Sequence, residues 1–286
     1  MRWQGERESG NVEDRRGMSG GGKIAIGGIG GVVILVISLL LGKNPLDYVN
    51  TSDVQDQAAT EQVSSSPEED KEMQFVGVVL AETEDVWTEI FEDDGKTYVA
   101  PKLDVFRESI QSGCGFASAA SGPFYCPRDS KVYIDLSFYD ELRDRFGVNG
   151  DFAMAYVISH EVGHHVQHLL GITDKVDAQR DNLSETEMNR LSVKLELQAD
   201  FLAGVWANHM KTRTTKTGEA ILEEGDIEEA LNAANAIGDD RLQKESQGYV
   251  VPDAFTHGTS KQRMYWFKKG FNTGDIGQGD TFSAVD

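Results

Sequence analysis

The stretch Ala155 to Gly171, AYVISHEVGHHVQHLLG, holds His160, His164, His165 and His168 with Glu161 beside the first of them, in a chain that has only six histidines. In a helix, residues four apart lie one turn above each other, so His160 and His164 of HEVGH project from one face with imidazoles able to meet on one ion. Two neutral imidazoles so placed hold Zn²⁺, and the glutamate between them, Glu161, takes the proton from the metal-bound water. The competing reading is a polar histidine cluster on an ordinary helix, because a five-residue pattern arises by chance in many helices. The setting favours the site. DFAMAYVIS, Asp151 to Ser159, is an apolar helix start that would bury the histidines, with Asp151 as expected N-cap and Gly171 as expected stop. A polar triplet buried there needs a partner, and a metal supplies one.

Catalytic zinc needs a third protein ligand and an open fourth position. The metzincin pattern would require glycine at 167 and histidine at 170; the chain has Gln167 and Leu170, which excludes it. Downstream, LSVKLELQADFLAGVWANHM, Leu191 to Met210, lies on a helix expected to open at Ser184 with Glu187 three residues later. Glu196 and Asp200 are four apart on an otherwise apolar face. Glu196 is assigned as third ligand and Asp200 as acceptor for the far ring nitrogen of a zinc histidine. The alternative is two solvated carboxylates.

His165 and His168 are three apart with no glutamate in the base position, which gives them a structural or supporting role. His209 sits near a helix C-terminus, where an imidazole meets the last carbonyls. Peptide hydrolysis creates an oxyanion that needs a donor besides the metal. His257, in the loop FTHGTSKQR beside Gly258, and Arg263 are the candidates; otherwise they cap a helix or pair with surface acids. Asp239 or Asp240 with Arg241 forms at most a structural ion pair.

With 286 residues, 39% hydrophobic and 26% charged, the chain is long enough for one large domain or two small ones. The net charge of −21 repels phosphate backbones, so nucleic acid is excluded as a partner. IAIGGIGGVVILVISLLLG, Ile24 to Gly42, runs without a charge between Lys23 and Lys43. At the helical rise it covers roughly 28 Å and just spans a bilayer core of ~30 Å. A cleaved signal peptide competes, but its apolar region is shorter and ends at a small-residue site; an uncleaved transmembrane helix is the favoured reading. Arg2, Arg7, Arg15, Arg16 and Lys23 precede it, whereas the remainder is strongly acidic. The expectation is a single-pass membrane protein with residues 1–23 cytoplasmic and the folded part outside, periplasmic if the cell has two membranes. Cys114 and Cys126, the only cysteines, suit a disulfide in an oxidising compartment.

Residues 43–72 are polar and acidic and read as a flexible tether, with the folded domain expected over 73–286. Helical periodicity runs from Phe75 to Gly95. KTYVAPKLDVF is strand-like with a break at Pro101, KVYIDLSFY alternates as a half-buried strand, and YDELRDRFG reads as a short helix. One helix is expected within Glu223 to Gly248, and a last one opened by Thr259 with Gln262 in a capping box. A few strands followed by several helices give an α+β class, mainly helical with a small sheet.

The sequence resembles the bacterial family described as "putative neutral zinc metallopeptidase", a group of membrane-anchored, zincin-like proteins. NVEDRRG (Asn11 to Gly17), the glycine-rich apolar run, CGFASAASGPFYCPRDSKVYIDLSFYDEL, AYVISHEVGHHVQ, ELQAD, AIGDDRLQ and FTHGTSKQR carry the resemblance, and it fails across the tether. It implies a zinc-binding, zincin-like fold with peptidase assigned by motif and a peptide or protein as substrate. Two functions follow as expectations. The first is a membrane-anchored zinc endopeptidase with His160, His164 and Glu196 on the metal, Glu161 as base and the strand KVYIDLS as the edge that receives substrate. The second is a zinc-stabilised binding or chaperone-like protein of the cell envelope; an intact Glu161 argues against it, since a structural site needs no base.

Overall fold

Ser66 opens the first long helix, α1 (Pro67–Asp93), in a computed structural model that describes residues 1–17, 66–148 and 150–284. Its hydroxyl accepts from the Glu69 N–H while the Glu69 carboxylate accepts from the Ser66 N–H, and Pro67 occupies the first helical position. The domain boundary expected at Met73 therefore moves back. Residues 67–72 are the largely exposed opening turns of α1, so no apolar period marks them.

Four strands form the main sheet in the order β1 (Val12–Asp14), β2 (Lys102–Phe106), β6 (Lys131–Asp135), β5 (Phe124–Cys126). The first three run parallel and β5 is antiparallel to β6. A separate hairpin joins β3 (Ser109–Ser112) to β4 (Gly115–Ser118), and a disulfide from Cys114 in its turn to Cys126 ties it to the sheet. KVYID is not half-exposed: β6 is flanked on both sides, with Val132 and Ile134 in the main core and Tyr133 against Phe106 and Cys126. The outer strand at that end of the sheet is Phe124–Cys126, which pairs with Lys131–Tyr133, so the edge expected along KVYIDLS is corrected for those three residues.

Residues 1–17, expected to stand apart from the domain, belong to it. β1 pairs Val12 with Leu103 and Asp14 with Val105, and Met1 and Trp3 are buried in the main core. The apolar run Ile24 to Gly42 and the stretch from Lys43 to residue 65 lie outside the described residues. Among the described residues no helix is long and apolar enough to cross a membrane.

The helices that follow are α2 (Ser137–Asp140), continued by one wide turn to Arg145, then α3 (Asp151–Leu169), α4 (Ile172–Asp177), α5 (Glu185–His209), α6 (Asp226–Ala236), α7 (Asp239–Gln247) and α8 (Ser260–Thr273). The α+β class is as the sequence indicates. Asp151 is the first residue of α3 and not its cap, because its carboxylate is taken by the Trp3 Nε1–H at 2.7 Å; the Phe152 N–H is met instead by Glu229 of α6. Gly171, with φ of 68°, ends α3 as expected. Ser184 and Thr259 form the two expected capping boxes. The single helix expected over 223–248 is two, broken at Gly238, where a Cβ would lie 2.4 Å from the Ser260 backbone nitrogen. That break puts Asp239 at the head of α7, facing the loop that carries His257.

α5 is the hub. Gly204 of α5 and Gly270 of α8 face each other so closely that a Cβ on either would come within 2.0 Å of the other helix's carbonyl oxygen, at Phe267 or Phe201. On the other side, Gly163 of α3 has the Ala199 carbonyl oxygen 3.0 Å from where its Cβ would be. These two near-contacts bring three helices together where the polar residues converge.

Candidate metal centre

His160, Glu161 and His164 come from α3, and Glu196 and Asp200 from α5. The glycine inside HEVGH, Gly163, lets α5 approach closely enough for Glu196 to reach both imidazoles. His160 Nε2 is 3.1 Å from Glu196 Oε2, and His164 Nε2 is 3.4 Å from Glu196 Oε1. The three residues offer ligand atoms that all lie within 4.8 Å of one another. A tetrahedral ion with bonds of ~2.0–2.1 Å holds its donors roughly 3.3 Å apart, so the set fits zinc in spacing and in chemistry.

Charge reinforces the grouping. Burial depresses the His160 imidazole, but the carboxylates of Asp200 and Glu196 outweigh it and lift the ring to about 10. His164 is raised in the same way by Glu196, which is itself held well below the usual carboxylate range by the imidazoles despite its burial. Three mutually dependent charged groups in a buried pocket are what a divalent cation relieves. Glu161 is buried next to His160, and its charge is felt at His164.

Behind the ligands lies a support layer. His160 Nδ1 is 2.9 Å from Asp200 Oδ1, in contact though outside hydrogen-bonding angles. The two Asp200 oxygens accept from Arg263 Nε at 2.9 Å and Nη2 at 3.0 Å, and from the Tyr156 hydroxyl. Burial would raise Asp200, but Arg263 and His160 keep it low and ionised. The structure thus brings Asp200 to the position expected of it. It does not bring Arg263 to an oxyanion: the close crossing of α5 and α8 turns this side chain into the core, where Asp200 and Tyr156 occupy it. The sequence reading of Arg263 as a catalytic donor is corrected on that ground.

His164 has its own support, which the sequence reading missed. Its Nδ1 is 2.9 Å from Gln167 Oε1, so the ring donates there and leaves Nε2 as the ligand atom. The Gln167 amide in turn donates to the Leu195 carbonyl and to Gln198. Gln167 was informative in the sequence only as a departure from another family's pattern; its spacing of three from His164 on a helix was the available signal.

His257 is half-exposed on the loop before α8, and Gly258, with φ of 92°, lets that loop rest against Val193 and Leu197 of α5. The carboxylates of Glu196 and Asp239 raise its ring above the ordinary imidazole value. Asp239 fixes the loop. One oxygen accepts the backbone N–H groups of Thr256, His257 and Gly258, and the other is 3.3 Å from His257 Nδ1. The ion pair expected between Asp239 or Asp240 and Arg241 is replaced by this loop anchor and by Asp240 accepting from Ser260. His165 takes the structural role expected: Nε2 donates to the Val99 carbonyl at 2.7 Å and Nδ1 accepts from the Tyr125 hydroxyl at 3.0 Å. His209 Nε2 bonds the Gly274 carbonyl at the far end of α5.

No solved structure matches the chain. It is 52% identical to "Uncharacterized protein YpfJ" of Escherichia coli strain K12 over 291 residues, 99% of each chain. It is 43% identical to "Uncharacterized protein Mb2605" of Mycobacterium bovis over 194 residues, 66% of this chain and 64% of that one. The family described as "putative neutral zinc metallopeptidase" matches residues 1–282, so the strand at the N-terminus, the two ligand helices and the His257 loop all fall inside it, and the chain belongs to that family.

Proposed function

We propose that the protein is a zinc-dependent endopeptidase in which His160, His164 and Glu196 hold the ion and Glu161 is the general base. The observation that carries this reading is a three-residue donor set with a buried glutamate beside it that is not among the donors. A closed structural site would have a fourth protein ligand and no use for that glutamate. Zinc, when bound, supplies Lewis acidity and a water of lowered pKa. Glu161 takes a proton from the attacking water and hands it to the leaving amine. His257, held by Asp239, donates to the developing oxyanion. Asp200, with Arg263 behind it, keeps His160 oriented. The substrate is an extended peptide or protein segment.

The test uses the full chain, because Met1, Trp3 and β1 are part of the domain. Wild type and Glu161→Gln are compared for cleavage of an unstructured protein, with bound metal quantified in both. The expected result is cleavage reduced about 10²–10⁴-fold in the variant with zinc retained. Zinc in both proteins and cleavage by neither would overturn the peptidase reading in favour of a zinc-stabilised binding protein.

A further inference from the structure

The chain leaves the described domain at Gly17 and returns at Ser66, and the two points are neighbours. The Arg16 guanidinium, one residue before the exit, is 3.2 Å from Asp70 Oδ1 in the opening turns of α1. Upstream of that exit, residues 1–17 are joined to the domain along their whole length. The Met1 backbone nitrogen is 3.0 Å from Asp226 Oδ1 of α6, and Trp3 packs edge-on against Phe75 while donating to Asp151. Arg7 donates to the Ala81 carbonyl and to Asp85; Ser9 and Asn11 donate to Glu84. Beyond them β1 pairs with β2, and Glu13 receives Lys102 and Lys131. Every one of these partners belongs to the body that carries the metal centre.

A helical crossing of a bilayer takes ~20 apolar residues, and the chain has one such run, Ile24 to Gly42; residues 43–65 are too polar for a second. A single crossing would put residues 1–17 on one side of a hydrocarbon core of ~30 Å and α1 on the other. Strand pairing and a contact of 3.2 Å between Arg16 and Asp70 do not survive that separation. We infer that residues 1–17 lie on the same side of the membrane as the metal centre. This replaces the single-pass topology expected from flanking charge. It is independent of the peptidase reading, because its test reads location and not activity.

Two single-cysteine variants, Gln4→Cys in the N-terminal segment and Tyr249→Cys on the surface of the domain, are expressed as full-length chains. Both positions are exposed, and the native cysteines are both in the disulfide, so the wild type contributes no thiol of its own. A membrane-impermeant maleimide is applied to right-side-out spheroplasts and to inverted membrane vesicles. The expected result is that both variants label in the same preparation; labelling in opposite preparations overturns the inference. A second variant reads the docking directly. A Cβ at Gly77 would lie 3.3 Å from the Glu8 Cβ, close to the ~3.8 Å of a disulfide. Glu8→Cys/Gly77→Cys should therefore crosslink within one chain on mild oxidation in membranes and revert on reduction.

Discussion

His160 and His165 share one helix and are both buried, at 5% and 1% exposure, yet their surroundings drive them in opposite directions. Around His160 stand the carboxylates of Asp200 and Glu196, and the ring is lifted to about 10. Around His165 stand a carbonyl and a phenol, neither of them charged, and burial pushes the ring down to about 4. Burial alone therefore says nothing about which histidine binds metal. What separates them is whether the facing helix delivers carboxylates, as α5 does through its approach at Gly163, or a loop and a strand deliver neutral oxygens, as Val99 and Tyr125 of β5 do.

The most severe way to break the first half of that comparison is Asp200→Asn. It leaves the Arg263 guanidinium buried without its counter-charge, which costs about 3–5 kcal/mol. It also removes the group behind His160, weakening metal binding by about 10–100-fold. Chemical denaturation with and without zinc would measure both. A variant that keeps its stability but loses metal would show that Asp200 acts only on the ligand and that Arg263 finds another partner.

The second half is broken by acid. His165 has a folded pKa near 4, below its ordinary value of 6.5, so the unfolded chain takes up a proton first as the pH falls. Its contribution is complete above the unfolded value and is lost as the pH drops from 6.5 toward 4, amounting to about 3 kcal/mol. Unfolding midpoints of wild type and His165→Gln between pH 7 and pH 4 should converge by that amount. Parallel curves would mean that the ring is not held neutral. His160 carries the opposite sign: a metal must displace the proton that Asp200 and Glu196 stabilise there. Zinc affinity should accordingly climb about tenfold per pH unit for each proton displaced, and calorimetry in buffers of different ionisation enthalpy would count those protons.

The sequence marked the two ligand helices because their chemistry is local. HEVGH and ELQAD each place their groups at helical spacing, and the capping boxes at Ser184 and Thr259 fix where α5 and α8 begin. It was silent where partners are distant. Arg263 reads as a loop-adjacent cation in sequence, and only the Gly204 and Gly270 crossing shows that it points inward. Asp239 reads as one acid in a charged run until the break at Gly238 turns it toward His257. Trp3 and β1 sit in a short charged segment ahead of an apolar run, and no local pattern connects Val12 with Leu103 across so much intervening chain. Ser66, Pro67 and Glu69 form the opening of α1, yet residues 43–72 read as a tether, because apolar periodicity does not reveal a solvent-facing turn.

The gentlest test sharpens the contrast within the metal face itself. His160 is backed by a charged group and His164 by the neutral amide of Gln167, so the two imidazoles should differ in how much they depend on their support. Gln167→Ala removes the acceptor that fixes the His164 tautomer, and zinc affinity should fall about tenfold, at the lower end of the range for such groups. It also unties Leu195 and Gln198, with a stability cost of about 1–2 kcal/mol. Gln167→Glu separates these effects: the carboxylate still accepts from His164 but cannot donate to the Leu195 carbonyl. If metal affinity returns in the glutamate variant while stability stays low, the amide oxygen orients the ligand and the amide nitrogen braces α3 against α5. Equal affinity loss in both variants would mean that His164 is positioned by packing around Gly163 and not by its ring nitrogen.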